Sequence, residues 1–408
     1  MAFGVPGYNE VVGTVSFEQA RECVISKVRH FRTMPPTESI ATLEATGRVL
    51  AESVLADRDY PPVPRSARDG FALRVQDLPG EFQVIGEVRA GEVFDGAIAP
   101  HQAVEIMTGA PVPKGANAVV MVEHCRRHGD TMASDRVLAT GDNILPKASE
   151  ATAGEVVVQA GRRLGFTDIA ELCTVGALEV CVYRRPRVAI LSTGDEVVDV
   201  NRRPLDHQVR NSNAHALAVQ VRRAGGDPVV LPIALDIYAS TRELVERGLE
   251  CDLLLLSGGV SAGKYDIVER VLADLGAEFY FDRVLIQPGQ PLVFGRAREK
   301  FFFGLPGNPA STMVCFEVFG RAAVELLAGR TETVLPMTWS RLSREFQQKT
   351  GLRRFLPARL SCDGGEVTPV AWRGSSDVPA LARANAFLVT EPDRETWAAG
   401  ELIRVLPQ

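Results

Sequence analysis

Residues 252–266 read DLLLLSGGVSAGKYD. Four consecutive leucines, Leu253 to Leu256, are too few for a helix of ordinary length and fit a buried parallel strand that is apolar on both faces. Ser257, Gly258, Gly259 and Gly263 then permit a sharp turn whose backbone can take positive φ and approach a ligand closely. The periodic run Ile267, Val271, Leu272, Leu275 predicts a helix after it. Strand, glycine turn and helix N-terminus together make an anion site, because unpaired N–H groups and the positive end of the helix dipole face whatever binds there.

A nucleotide-hydrolysing P-loop is the first reading to test. Gly258, Gly263 and Lys264 satisfy GxxxxGK, but Tyr265 stands where that motif needs Ser or Thr to hold Mg²⁺. Asp266 follows, and a carboxylate beside an anion site argues for a metal ion or a proton-transfer role, since it would otherwise repel a phosphate. A glycine turn that only packs a helix on a sheet is the bland alternative for this loop standing alone.

The surroundings repeat the pattern. From Arg187 on, strands and helices alternate: a strand Val188 to Leu191, then STGDE at Ser192 to Glu196, then a helix Ala214 to Arg223 capped by Asn213 and ended by Gly225 and Gly226. A strand Pro228 to Ile233, a helix from Ser240 to Glu250, the leucine strand, strands near Phe279 and Val293, a hairpin-like return at Phe301 to Phe303, and a helix Pro309 to Leu327 follow. Such alternation predicts a doubly wound parallel sheet whose ligands bind beyond the carboxyl ends of the strands at the switch point. STGDE, SGGVSAGKYD and GLPGNP (Gly304 to Pro309) are then expected on one edge. In the third loop Asn308 is placed to cap the helix, with Pro309 at its first position, leaving further N–H groups for an anion. Asp195 or Glu196, Asp236 and Asp266 supply carboxylates, so the edge suits Mg²⁺-assisted phosphate chemistry. For Glu196 and Asp236 a plain turn or helix-start role is the competing reading.

The chain has 408 residues, enough for two to four domains. A net charge of -6 gives no electrostatic reason to expect nucleic acid. Seven scattered cysteines contain no CxxC pair, so neither a disulfide framework nor a zinc site is indicated, and reduced thiols in a cytoplasm are expected. No uncharged apolar run is long enough to span a membrane, and no secretory leader is visible.

Toward the N-terminus, Ser16 and Gln19 form a capping box for a helix over 16–31, and a second helix is expected from Ile40 to Val49. A Pro-rich passage, Tyr60 to Pro64, breaks regular structure. Short β-prone runs such as Gln83 to Val88 and Ala118 to Val122 then predict a small β-domain over 58–149. It carries the loops SARDGFA (Ser66 to Ala72) and MTGAPVP (Met107 to Pro113). Asp69 before Gly70 reads alone as a turn pair, and Thr108 offers a hydroxyl that a turn does not need. Residues 150–184 return through helix and strand and are assigned with 1–57 to one helical linker domain. The α/β domain covers 185–330. After it, 331–408 alternate like the strands of a small barrel or sandwich, and the GSSD turn at Gly374 to Asp377 reads as surface.

MTGAP, STGDE, SGGVSxGxxD and GLPGNP, in this order and at these separations, resemble the molybdopterin molybdenumtransferase family, which includes the C-terminal domain of gephyrin. The resemblance runs from SARDGFA to GSSDVPALARANAF at Gly374 to Phe387. It implies a multidomain α/β homodimer with a helical linker domain, an inserted small β-domain, a molybdopterin-binding domain and a C-terminal β-domain. It also implies insertion of molybdate into adenylated molybdopterin with Mg²⁺-dependent release of AMP, alongside other molybdenum cofactor biosynthesis proteins. Carried over by position, Asp69, Thr108, Glu196, Asp236 and Asp266 are the catalytic set, and Glu196, Asp236 and Asp266 the metal ligands. Ser192, Gly194, Ser257, Gly258, Gly259, Ser261, Gly263, Pro306, Gly307, Asn308 and Pro309 are implied substrate contacts, with Lys147 and Arg68 as cations. The family's site lies between the α/β domain of one subunit and the small β-domain of the other.

The departures concern positive charge. NILPKASEA (Asn143 to Ala151) replaces an Arg-rich stretch, keeping Lys147 and carrying Glu150 in place of the usual Asp. IQPGQP (Ile286 to Pro291) puts Gln287 and Gln290 at lysine positions, with Arg283 nearby. Gln still donates hydrogen bonds to an oxyanion but without charge assistance. Arg68, where a neutral residue is frequent, is expected to return one lost charge. Two other readings stand beside this one, a molybdopterin adenylyltransferase with the same α/β fold and a non-catalytic pterin-binding scaffold.

Overall fold

The computed structural model describes residues 13–258 and 267–408. Its centre is a six-stranded sheet in the order Asp227–Val230, Arg187–Ser192, Leu253–Ser257, Lys300–Leu305, Pro291–Ala297, Glu278–Arg283. The four leucines are fully buried and divide by parity. Leu253 and Leu255 face one core with the Ser212–Ala224 helix, and Leu254 and Leu256 face the other with Tyr238–Gly248 and Ile267–Asp274. That is the two-sided burial expected of a central parallel strand.

The first four strands are parallel, and the last two run antiparallel to their neighbours. The doubly wound sheet thus has a parallel core of four strands, and the hairpin-like return expected at Phe301 to Phe303 makes its far edge antiparallel. The cause is local: Ala297 pairs with Lys300 across Arg298 and Glu299, both at positive φ, the conformation of a two-residue hairpin that forces an antiparallel return.

Two helix readings change. The Ser212–Ala224 helix is capped by Asn211, whose side chain accepts from the Ala214 N–H, and not by Asn213. Residues 40–49 form no helix: Thr37–Ala41 is a strand paired antiparallel with Glu179–Tyr183, followed by a 3-10 turn, Thr42–Glu44. Here strand pairing outweighs a helical spacing of apolar residues that is short to begin with. The Phe17–Phe31 helix keeps its capping box. Its buried face, Phe17, Ala20, Val24 and Val28, packs into the same core as Val318 and Phe319 of the α/β domain. The long helix there runs Pro309–Cys315, a π turn Phe316–Gly320, then Arg321–Leu327. Arg21 donates to the Val318 carbonyl at 2.7 Å, satisfying an acceptor in the π turn.

The inserted β-domain is a second six-stranded sheet, in which Gly70–Leu73 lies between Ala118–Met121 and Gln102–Ile106. At the C-terminus, Arg353–Leu360, Glu366–Pro369, Thr338–Leu342, Leu402–Pro407 and Ala386–Val389 close into a five-stranded barrel, since the last pairs with the first. Ile286 and Gln287 pair with Arg353 and Arg354, so the barrel is stitched to the α/β domain by backbone hydrogen bonds. Among the described residues no helix is long and apolar enough to cross a membrane.

Candidate functional site

The carboxyl ends of three parallel strands lie level, because Ser192 is in register with Ser257, and Ser257 with Leu305. The segments that leave them therefore start from one edge, at Thr193, Gly258 and Pro306, and the order Asp227–Val230, Arg187–Ser192, Leu253–Ser257 places a switch point between the last two strands. Gly258 has φ +93°, and a Cβ there would lie 2.8 Å from the Thr193 carbonyl, so only glycine fits. Gly307 faces it closely, its Cβ direction meeting the Gly258 Cα at 3.6 Å. Gly259, Ser261, Gly263 and Asp266 lie outside the described residues.

The serines at the strand ends have opposite polarity. Asn211 Oδ1 accepts the Ala214 N–H and so faces Ser192 as an acceptor, which makes the Ser192 hydroxyl the donor at 2.9 Å. Its proton is thus used inside the fold. Ser257 Oγ instead accepts from Asn213 Nδ2 at 2.8 Å. The Thr193 hydroxyl, 4% exposed, has no partner among the described residues.

Three carboxylates cluster on the exposed rim. The Asp236 N–H donates to Asp195 Oδ1 at 3.1 Å. Partial burial first, and then the charges of Asp195 and Glu196, push the Asp236 carboxyl above its ordinary value. Glu196 folds back on its own loop: Gly194 has φ +129°, and a Cβ there would lie 2.5 Å from Glu196 Oε2. Among the described residues, no group of three or more His, Cys, Asp or Glu is placed to hold a metal ion. Of the expected ligands, Glu196 and Asp236 are thus close enough to repel, while Asp266 falls outside the described residues.

Asp69 and Thr108 form a separate pair in the inserted domain. Asp69 Oδ1 accepts the Thr108 backbone N–H at 2.6 Å and its hydroxyl at 2.8 Å. The backbone bond foremost, then the hydroxyl, hold the Asp69 carboxyl below its ordinary value. Ser66 and Ala110 exchange with the same loops, the Ser66 N–H donating to the Ala110 carbonyl and the Gly109 N–H to the Ser66 carbonyl, so SARDGFA and MTGAPVP are zipped together. The extra hydroxyl of Thr108 thus has a partner that a bare turn would lack.

The cations stand differently from expectation. Lys147 pairs with Asp59 at 3.0 Å. Arg68 is exposed on the turn before Asp69, its carbonyl accepting from Ser66 Oγ. Gln287 is exposed, and its Oε1 accepts from Arg354 Nε at 2.9 Å. A guanidinium from the barrel thus lies against the position where a lysine was expected.

Pro309 opens its helix as expected and Asn308 occupies the cap position, but Asn308 makes no side-chain cap bond. The Ala310 N–H is taken by the Ser375 carbonyl at 2.9 Å, so one of the N–H groups expected to face an anion is already bonded. The GSSD turn, expected at the surface, supplies that carbonyl, and Asp377 caps the following Val378–Arg383 helix. Sequence reasoning missed Asn213, Arg354 and Ser375. The first was read as a cap, and the other two lie in the barrel, whose pairing partners no local pattern specifies.

Three family models match the chain: a MoeA N-terminal region (domain I and II) over residues 15–176, a probable molybdopterin binding domain over 189–326, and a MoeA C-terminal region (domain IV) over 340–408. A molybdopterin molybdenumtransferase of Staphylococcus aureus is 32% identical, with 94% of each chain covered. One of Bacillus subtilis is 33% identical over 94% of this chain and 92% of its own. The crystal structure of a molybdopterin biosynthesis MoeA protein from Pyrococcus horikoshii OT3 superimposes with a TM-score of 0.81 at 28% identity, covering 97% of this chain and all of that one. With its strand-edge loops, inserted β-domain and closed barrel, the chain belongs to the molybdopterin molybdenumtransferase family, enzymes of molybdenum cofactor biosynthesis.

Proposed function

We propose that the chain inserts molybdate into the dithiolene of adenylated molybdopterin, with Mg²⁺-dependent release of AMP. The observation that carries this reading is the edge where Gly258 and Gly307 approach each other with no side chain between them, on the side of the sheet that also carries the rim carboxylates Asp195, Glu196 and Asp236. Glycine backbone can lie against a phosphate, and a carboxylate pair that repels itself suits a hard divalent cation better than an anion. Carboxylates of this kind suit Mg²⁺, which Glu196 and Asp236 would hold together with Asp266. Bound there, the ion would supply charge withdrawal from the phosphoanhydride that splits to release AMP.

The chain's own residues orient the substrates. The Ser257 hydroxyl would receive the pterin phosphate together with Gly259, Ser261 and Gly263, the Gly258 N–H being taken by the Leu305 carbonyl, and Pro306, Gly307, Asn308 and Pro309 would complete the contact. Gln287 and Arg354 offer donors to the oxyanion molybdate, the guanidinium restoring charge assistance that the two glutamines lack. Arg68 and Lys147 are further cations, Lys147 after release from Asp59. Asp69 and Thr108 complete the site from the inserted domain of a second copy in a homodimer. All seven cysteines are free thiols, which supports a cytoplasmic setting. The inserted domain and barrel would be superfluous for adenylation of molybdopterin, and a scaffold would have no use for repelling acids beside a glycine edge.

AMP release from adenylated molybdopterin, with Mg²⁺ and with or without molybdate, tests the proposal against the Asp236→Asn and Asp266→Asn variants. Molybdate-stimulated release in the wild type that both variants lose is the expected result. Pterin binding with no release under any condition would overturn it.

A further inference from the structure

Asn213 is left without its expected capping role, since Asn211 caps the helix. Its side chain instead reaches two different loops at once. Nδ2 donates to Ser257 Oγ at 2.8 Å and to the Gly307 carbonyl at 2.8 Å, while Oδ1 is buried and has no partner among the described residues.

These bonds fix a direction. A carbonyl oxygen can only accept, so the amide nitrogen must face Gly307, and the other hydrogen on that nitrogen points at Ser257. Ser257 Oγ is therefore an acceptor from Asn213, and its own proton finds no acceptor among the described residues. Ser192, one strand away, has the reverse assignment and keeps its proton inside the fold. Of these two serines at level strand ends, Ser257 is the one whose proton has no acceptor among the described residues. The same amide also ties the strand end before Gly258 to Gly307, whose Cβ direction meets the Gly258 Cα at 3.6 Å.

We infer that Asn213 is a positioning residue, which holds the Ser257 and Gly307 loops at fixed spacing and commits the Ser257 hydroxyl to donate to an acceptor oxygen of the ligand, a phosphate or a pterin carbonyl. The inference deepens the proposed function and rests on that site being the pterin site. It makes a polarity prediction that a packing role does not. Asn213→Asp keeps the shape but turns the donor into an acceptor, which captures the Ser257 proton and repels the Gly307 carbonyl. Asn213→Ala removes the constraint without reversing it.

The test is a titration of adenylated molybdopterin onto the full-length protein, with hydrogen exchange at the Gly258 amide, which donates to the Leu305 carbonyl, as a readout that needs no ligand. Asn213→Asp should weaken binding about ten-fold or more, in line with loss of one to two hydrogen bonds. Asn213→Ala should lose less, and both should speed exchange at Gly258. Ser257→Ala should abolish most of the difference between Asn213→Asp and the wild type, because both changes remove the same donor. Equal affinity in Asn213→Asp and wild type, or losses that add in the double variant, would overturn the inference and leave the reaction standing. Tight pterin binding without AMP release in the wild type would sink the reaction while leaving the Asn213 assignment intact.

Discussion

Asp69 and Thr108 show how little of a residue's role is visible in its own loop. Asp-Gly is a turn pair anywhere, yet here the carboxylate takes both donors of a threonine that is 39 positions away. Because the two hydrogen bonds favour the charged form, the folded value lies below the unfolded one. The stabilisation is present above the unfolded value and is lost as pH falls through the folded one. Thr108→Val removes the hydroxyl but not the backbone N–H, so the Asp69 carboxyl should rise only part of the way back, which a carbon-detected NMR titration would follow. Unchanged titration would mean that the hydroxyl contributes nothing. A second residue-level prediction concerns the missing lysines. Arg354 touches Gln287 directly whereas Arg68 is exposed on its own turn, so Arg354→Gln should raise the molybdate concentration needed for half-maximal AMP release more than Arg68→Ala does. The reverse order would return the compensating charge to Arg68.

At the scale of elements, the leucine strand was legible because a run of four leucines is too short for an ordinary helix and apolar on both faces, which suits a strand covered on both sides, and parity then divides them. Leu255→Ala should cost about 2–5 kcal/mol in urea unfolding, as for other fully buried leucines. The start of the turn after it, the positive φ at Gly258, was legible for the same local reason. Gly258→Ala would place a methyl group 2.8 Å from the Thr193 carbonyl at a positive φ, so a loss of about 1–3 kcal/mol is expected with a larger loss of pterin affinity. A variant as stable and as tight-binding as wild type would show that the loop adapts. What sequence hid is long-range. Residues 40–49 read as a helix until Glu179–Tyr183 supplies a strand partner, and the pairing of Ile286 and Gln287 with Arg353 and Arg354 spans 67 positions with no signal in either segment. Asn211 and Asn213 are both good cap residues two positions apart. Only the geometry of the neighbouring loops decides which one caps and which one clamps.

At the scale of the whole molecule, the two halves of the candidate site lie in different domains, and the hydrogen bonds of Asp69 and Thr108 stay inside the inserted one. A second copy offers a way to unite them. The linker region exposes Leu43, Phe166 and Leu178 at 81%, 84% and 84%. The Thr42 N–H donates to the Leu178 carbonyl, bringing the first and last of these side by side. Leu43 and Leu178, held together in this way, with Phe166 exposed on the same linker region, fit an isologous contact, in which the same patch meets itself. Light scattering on the wild type should give twice the chain mass, and Phe166→Glu with Leu178→Glu should give monomers that keep their fold by circular dichroism but lose AMP release. A complementation experiment then separates a shared site from a merely dimeric protein. Asp69→Asn and Asp236→Asn are each expected to be inactive. Unfolded together and refolded, half the dimers carry one of each, and a site built from two subunits leaves one of their two sites intact, so about a quarter of the wild-type activity should return. Recovery of nothing, with mixed dimers demonstrably formed, would mean that each chain builds its site alone and that the inserted domain must close onto its own glycine edge.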